Sequence, residues 1–272
     1  SWDEAIKLAS EEIKRISDEY GPTGFYCKAN NTTLNVLSGY VRGWDTTSHG
    51  TYTLDVTKMG LPTTDCGTGD ADTANDRFDL ENAEYIIMWS SNPAWSAAGT
   101  PINYWLAARD QGTKFVSIDP LYNASAQMLD AGWVPVRTGT DMALMFAIAY
   151  EMLRLDEEKG GIIDWDFIHK YTVGFDSESM PEDKTIDENL KDYILGKYDG
   201  TPKTPEWAEP ICGVKPEQVT ELAQIMAKSN KVMILHNYGM ARCNGAEMLP
   251  QLLIALGAMG GHMGKSGHAT AS

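Results

Sequence analysis

Three short stretches carry side chains with chemistry to offer, and each stands where an apolar run stops. Residues 115–118 (Phe-Val-Ser-Ile) are too short for a helix and β-branched enough for a buried strand, and they end abruptly at Asp119-Pro120. In an open parallel sheet, ligands bind beyond the carboxyl ends of the strands, where an acidic side chain can accept hydrogen bonds from a ribose. Asp119 is therefore placed like a nucleotide ligand. A second short strand, residues 133–137, runs into Thr138-Gly139-Thr140-Asp141, after which helical periodicity begins at Met142. Backbone amides at a helix start, with a glycine that lets the chain approach closely, favour phosphate or polar ring edges. The third run, residues 83–89 (AEYIIMW), ends in Ser90-Ser91-Asn92-Pro93, so Asn92 and Asp119 would meet at one edge of the sheet. An ordinary strand-turn-helix junction, with Asp-Pro as a turn and Thr140 as an N-cap, would show the same pattern.

A further strand, residues 231–235, empties into His236-Asn237-Tyr238-Gly239-Met240-Ala241-Arg242, where Arg242 offers a planar fork for phosphate. Residues 44–53 (WDTTSHGTYT) are dense in hydroxyl groups and aromatics without apolar period, a loop with chemistry available to it. Tyr52 in that loop could donate a hydrogen bond. Cys27, Cys66, Cys212 and Cys243 have no C-x-x-C spacing and give no zinc or iron–sulfur site in this segment. His49, His236 and His262 lie nearest the polar loops, and no pair has zinc spacing. A G-x-G-x-x-G fingerprint is absent, which counts against a nicotinamide-dependent dehydrogenase, the rival enzyme class.

The elements that must position these groups follow from periodicity. A helix over residues 2–20 has a capping box from Ser1 and Glu4 and an apolar stripe of Ile6, Ala9, Ile13, Ile16 and Tyr20. Residues 83–119 form a βαβ unit, with Pro101 opening its helix and Gly112 closing it. Residues 142–155 are helical, 171–198 form an acidic surface excursion, 202–216 a proline-punctuated connector, and 216–229 a helix feeding the strand at 231. A last helix over 246–256 gives way to five glycines in residues 257–267. With 272 residues, 43% of them hydrophobic, the chain can bury a real core. Its 38 acidic against 22 basic residues give a net charge of -16, which repels phosphate backbones and excludes nucleic acid as an expected partner. Both ends read as cut from something longer.

Taken in order, S-W-D-E-A-I at the start, H-G-T-Y-T at 49–53, S-N-P-A at 91–94, I-D-P-L-Y at 118–122, W-V-P-V-R-T-G-T-D at 133–141, N-Y-G-M-A-R at 237–242 and the glycine-rich tail resemble the catalytic subunit of the molybdopterin oxidoreductases of the dimethyl sulfoxide reductase family. The resemblance implies a molybdenum bis(molybdopterin guanine dinucleotide) cofactor between two α/β lobes. It implies that Ser91 and Asn92 sit against one dinucleotide, that Asp119 with Pro120 binds its guanosine, and that Gly139, Thr140 and Asp141 bind its polar edges. Gly239, Met240 and Arg242 would serve the other side. The family's serine ligand to the metal corresponds to Thr53, with Asp55 as a carboxylate alternative and no protein ligand as the third. The expected architecture is α/β: a Rossmann-like parallel-sheet domain over residues 66–229, inserted in a second, incomplete lobe built from residues 1–65 and 230–272.

The parent enzyme would reduce a sulfoxide, an N-oxide or a related small-molecule oxidant by oxygen-atom transfer. A 4Fe–4S cluster, an iron–sulfur electron-transfer subunit and a membrane-anchor subunit are expected in the parent complex, on the periplasmic or cell-envelope side of a bacterial membrane. The cysteines of that cluster and the C-terminal cofactor domain have no counterpart in this segment, so the isolated chain is expected to be inactive and cofactor-free. The non-enzyme rival is a scaffold or electron-transfer subunit that keeps the fold without the metal.

Overall fold

The computed structural model describes residues 1–21, 24, 26–27, 45–46, 75–95, 102–236, 243 and 245–271. The chain divides into two compact units, Ser1–Thr51 and Tyr52–Ser272. In the first, helix α1 (Trp2–Tyr20) starts as expected, with the Ser1 hydroxyl accepting from the Glu4 amide at 3.2 Å, and stops at Gly21, whose φ of 77° ends helical geometry. Strands β1 (Tyr26–Cys27) and β2 (Asp45–Thr46) pair in parallel in the same unit.

The second unit is built on a five-stranded, wholly parallel sheet. Its strands are β3 (Tyr85–Trp89), β4 (Lys114–Ile118), β5 (Gly132–Val134), β6 (Val232–His236) and β7 (Ala269–Ala271), in the order β5-β4-β3-β6-β7. Parallel strands require crossovers, and a sheet covered on both faces reads as continuous apolar runs. That is the pattern of YIIMW, KFVSI and VMILH. Ile87, Trp89, Val116, Ile118 and Ile234 face one core, while Ile86, Met88, Phe115 and Met233 face another. The second core is closed by helix α2 (Ile102–Asp110) through Trp105 and Ala108, and by α3 (Ala124–Met128) through Ala126.

The first core is closed by the long helix α4 (Asp141–Lys159), which runs four residues further than its apolar period suggested. Gly160 ends it at φ 66°. Beyond α5 (Trp165–Tyr171) and α6 (Leu190–Ile194), α4 packs against α7 (Pro205–Cys212), α8 (Pro216–Ile225) and α9 (Leu249–Met259). No helix among the described residues is long and apolar enough to cross a membrane.

Several expectations change. The boundary expected between residues 229 and 230 falls inside one sheet. Strand β6 pairs with β3 along its whole length, from Tyr85 opposite Val232 to Trp89 opposite His236, and β7 pairs with β6, so these two strands belong to the same sheet as β3, β4 and β5. Residues 171–198 are more than a surface excursion, because Phe175 and Ile194 are buried in the main core. Residues 202–216 hold helix α7, capped by Thr204 and ended by Gly213. The acidic segment is held down by Lys203, which is 2% exposed and ion-paired with Asp199 at 2.5 Å. Its ammonium also sits 4.6 Å and 5.5 Å from the Tyr193 and Trp207 ring centroids. Strand β5 stops at Val134, since Pro135 has no N–H for the ladder; the Arg137 amide donates instead to the Cys212 carbonyl.

The glycine-rich tail makes tight turns around a buried histidine. His262 Nε2 lies 2.8 Å from the Met226 carbonyl oxygen, which can only accept, so Nε2 carries the proton. Its Nδ1, 3.1 Å from His268 Nδ1, is then an acceptor. Burial, with smaller contributions from His268 and Lys265, pushes the His262 pKa from 6.5 down to about 4. The unfolded chain therefore binds the extra proton between pH 6.5 and 4 while the folded chain does not, so this stability is complete above pH 6.5 and falls away below it. A loss of about 3 kcal/mol is expected by pH 4. Urea denaturation at pH 7, 5.5 and 4.5 should show it, and His262→Gln should flatten the slope.

Candidate functional site

Because the strand order runs outward from β3 through β4 to β5 and then crosses to β6 and β7, the connections leave in opposite directions at β3 and β6. In open α/β sheets the ligand crevice lies at such a switch point, beyond the carboxyl ends. The polar loops singled out by sequence follow this edge. After β3, Ser90 adopts a left-handed conformation (φ 53°), turning the chain into Ser91 and Asn92 while its amide still donates to the Ile118 carbonyl at 2.9 Å. After β4 comes Asp119, half-buried, with Pro120 exposed. After β5, Gly139 takes φ 80° in the turn that starts α4, and Cys243 packs beside it.

Asn92 and Asp119 are joined through the start of α3. Ser125, fully buried, donates to Asn92 Oδ1 at 2.6 Å and accepts from the Ala94 amide at 2.9 Å. Asn123 caps α3 through its Oδ1 and donates from Nδ2 to Asp119 Oδ2 at 3.2 Å, while Asp119 Oδ1 accepts from the Leu121 amide at 2.9 Å. The Asp119 carbonyl accepts from the Trp133 indole N–H at 2.8 Å. The carboxylate at the end of β4 is thus oriented by one side-chain amide and one backbone N–H, both of them neutral donors.

At the start of α4 the side chains turn inward. Asp141 is 5% exposed, and its Oδ1 accepts from the Trp89 indole N–H at 2.8 Å, which ties the helix N-terminus to the end of β3. Burial, with the nearby Asp119 charge in a smaller role, raises its pKa above the ordinary carboxylate value. Thr140 occupies the N-cap position without capping; its hydroxyl donates to the Arg137 carbonyl at 2.7 Å. From this segment Gly139 and the backbone amides of the α4 start are suited to a ligand, whereas the Asp141 carboxylate positions the helix.

The structure therefore brings Ser91, Asn92, Asp119, Pro120, Gly139, Thr140 and Asp141 to one edge. Thr53, Asp55, His49, Tyr52, Gly239, Met240 and Arg242 lie outside the described residues. His236 ends β6 at this same edge, whereas His262 lies beside Met226, on the segment that enters β6, and belongs to the core. Among the described residues no group of three or more His, Cys, Asp or Glu side chains is arranged to hold a metal. Sequence reasoning missed Trp89, Asn123, Ser125 and Trp133. Of these, only Asn123, a capping residue ahead of Ala-Ser-Ala-Gln-Met, carried a readable signal.

The fold and the edge define an α/β protein with a five-stranded parallel sheet whose described polar loops line the carboxyl ends of β3, β4 and β5. The model of the family described as "Molybdopterin oxidoreductase" matches residues 1–265. The chain is 32% identical to the trimethylamine-N-oxide reductase of Haemophilus influenzae, over 98% of this chain and 32% of that one. It is 29% identical to the dimethyl sulfoxide/trimethylamine N-oxide reductase of Rhodobacter capsulatus, with 98% and 32% covered. The acetylene hydratase of Pelobacter acetylenicus shares the fold at a TM-score of 0.60 and 20% identity, over 96% of this chain and 33% of that one. The chain belongs to the molybdopterin oxidoreductase family, as a member of its dimethyl sulfoxide reductase type. It spans about a third of the length of these relatives, and the family implies a molybdenum–molybdopterin cofactor.

Proposed function

We propose that this chain is the central cofactor-binding portion of a molybdenum oxidoreductase that reduces a sulfoxide, an N-oxide or a related small molecule. The observation that carries the reading is the fixed carboxylate of Asp119 at the sheet's carboxyl edge, joined through Asn123 and Ser125 to Asn92 and lying on the same edge as the α4 start. A guanine dinucleotide fits this donor set. Asp119 accepts from sugar hydroxyls, Asn92 presents an amide, and the backbone at Gly139 lets phosphate or a ring edge come close. When bound, the molybdenum centre supplies two-electron oxygen-atom transfer, and the protein supplies position, exclusion of water and electrostatics.

On this reading the unit is a Rossmann-like dinucleotide domain, Gly239, Met240 and Arg242 meet the second dinucleotide, and Thr53 or Asp55 gives the metal an oxygen ligand. In the full enzyme a 4Fe–4S cluster, an iron–sulfur subunit and a membrane anchor would bring electrons at the bacterial cell envelope. The relatives named as reductases of trimethylamine N-oxide and dimethyl sulfoxide support this substrate class over the rivals. The test is the holoenzyme carrying this chain, assayed with reduced viologen dye. Oxidation of the dye on adding trimethylamine N-oxide or dimethyl sulfoxide, with about one molybdenum per chain, is the expected result. A metal-free, inactive holoenzyme would return the reading to a scaffold.

A further inference from the structure

Between the end of α9 and the start of β7 stand two histidines that the nucleotide edge does not use. His262 is fully buried and His268 half-buried. Their Nδ1 atoms lie 3.1 Å apart, with ring centroids separated by 5.4 Å and planes 21° apart, so the two nitrogens meet head to head. Because His262 Nε2 gives its proton to the Met226 carbonyl, a single proton lies between the rings, donated by His268. The pair also borders β7. The His262 carbonyl accepts from the Thr270 hydroxyl at 3.1 Å, and β7 joins the sheet only through β6, with Ala269 opposite Met233. We propose that His262 and His268 form a two-proton latch, in which acid parts the two rings and lets β7 leave the edge of β6.

The physical case is the number of protons the contact can hold. One added proton enters at His268 Nε2 and leaves the bond between the rings intact. A second sets two N–H donors face to face, and the His262 ring, fixed by Met226, cannot turn away. Lys265 faces both rings and Lys231 faces His268, which opposes protonation. Asp164 facing His262, and Asp79 and Glu84 facing His268, favour it. Burial outweighs these carboxylates, so both rings titrate below the ordinary histidine value. Once freed, each ring regains that value, and the open form then holds more protons than the closed one. Asp79 accepts from the Ser266 hydroxyl and from the Gly267 amide at 2.8 Å. Against the effect of burial, these bonds and those from Asn82 and Asn75 keep its pKa at about 2, so this tether survives acid and holds the tail near for closing again. What acid uncovers is the edge of β6, a row of backbone groups open to another strand.

The test is amide hydrogen exchange of the chain at pH 7, 6 and 5, corrected for the intrinsic rate at each pH. In the unaltered chain, opening read at residues 269–271 is expected to rise by more than about 10-fold between pH 6 and 5, since more than one proton is taken up. At every pH it should exceed opening at residues 85–89 and 114–118, which exchange only with the whole unit. His268→Gln keeps a donor to His262 Nδ1 and, with its amide turned, an acceptor for a protonated His262. Its opening should therefore rise by no more than about 10-fold over the same interval. A rise of 10-fold or less in the unaltered chain overturns the latch, whatever the glutamine variant does. An equal rise in both chains, or protection at 269–271 equal to that of β3 and β4, overturns it as well.

Discussion

Asp119→Ala is expected to weaken GDP binding by about 100-fold. A carboxylate accepting from sugar hydroxyls contributes about 1.5–3 kcal/mol per hydrogen bond, and the substitution removes both oxygens while freeing the Leu121 amide and the Asn123 side chain that orient them. The effect has a signature beyond its size. The unaltered chain should prefer GDP to its 2′,3′-dideoxy analogue, because only the former offers hydroxyls to the carboxylate, and the alanine variant should bind the two equally weakly. Asp119→Asn, which keeps one acceptor and the shape, should fall between. Calorimetry of three proteins against two nucleotides checks this, and a preference for GDP that survives in Asp119→Ala would mean that the sugar lies elsewhere.

The second large effect is on stability. Gly260→Ala is expected to destabilise the second unit by about 3 kcal/mol, lowering Tm by roughly 6–12 °C for a unit of this size. A Cβ on Gly260 would overlap the His262 imidazole and the Met226 carbonyl oxygen, the two partners of the buried hydrogen bond at the end of α9. Neither can give way cheaply. The imidazole is fully buried, and the carbonyl belongs to the turn that leads into β6. Moving the ring leaves buried donors unsatisfied, which adds to the steric cost. Urea unfolding should show a lower midpoint at unchanged slope. Since Gly260 is remote from the β4 and α4 loops, GDP affinity measured below the transition should be retained, which separates this loss from the one at Asp119.

The sheet was legible wherever burial on both faces left a continuous apolar run, as at residues 85–89, 114–118 and 232–236, and the rim was legible where such a run stopped at a polar residue. What sequence could not give was pairing. Strand β6 sits inside the sheet, between β3 and β7, because of its hydrogen bonds to β3, some 150 positions away, and nothing local marks it as part of this sheet rather than as the start of another lobe. Helix α3 escaped notice because its five residues are too few for a period. With it went Ser125, whose role depends on Asn92, 33 residues earlier. Residues 171–216 looked like surface because their few apolar anchors, Phe175 and Ile194, are diluted by charge, and a lysine between two aromatic rings is not a recognisable core residue. The motif marks Asp141 only as a polar residue at a helix start; that its carboxylate accepts from the Trp89 indole is a contact that spacing alone does not reveal.

The central claim is that the carboxyl edge of β3, β4 and β5 grips a nucleotide, and amide hydrogen exchange with and without saturating GDP tests it most directly. The expected result is slowed exchange confined to residues 90–95, 119–125 and 138–143, with the rest of the second unit unchanged. An apolar cavity of about 530 Å³ lies between α4 and α9, lined beyond residue 143 by Phe146, Val173, Phe175, Leu252 and Ala255. Slowed exchange around that cavity, with the three loops unaffected, would contradict the account.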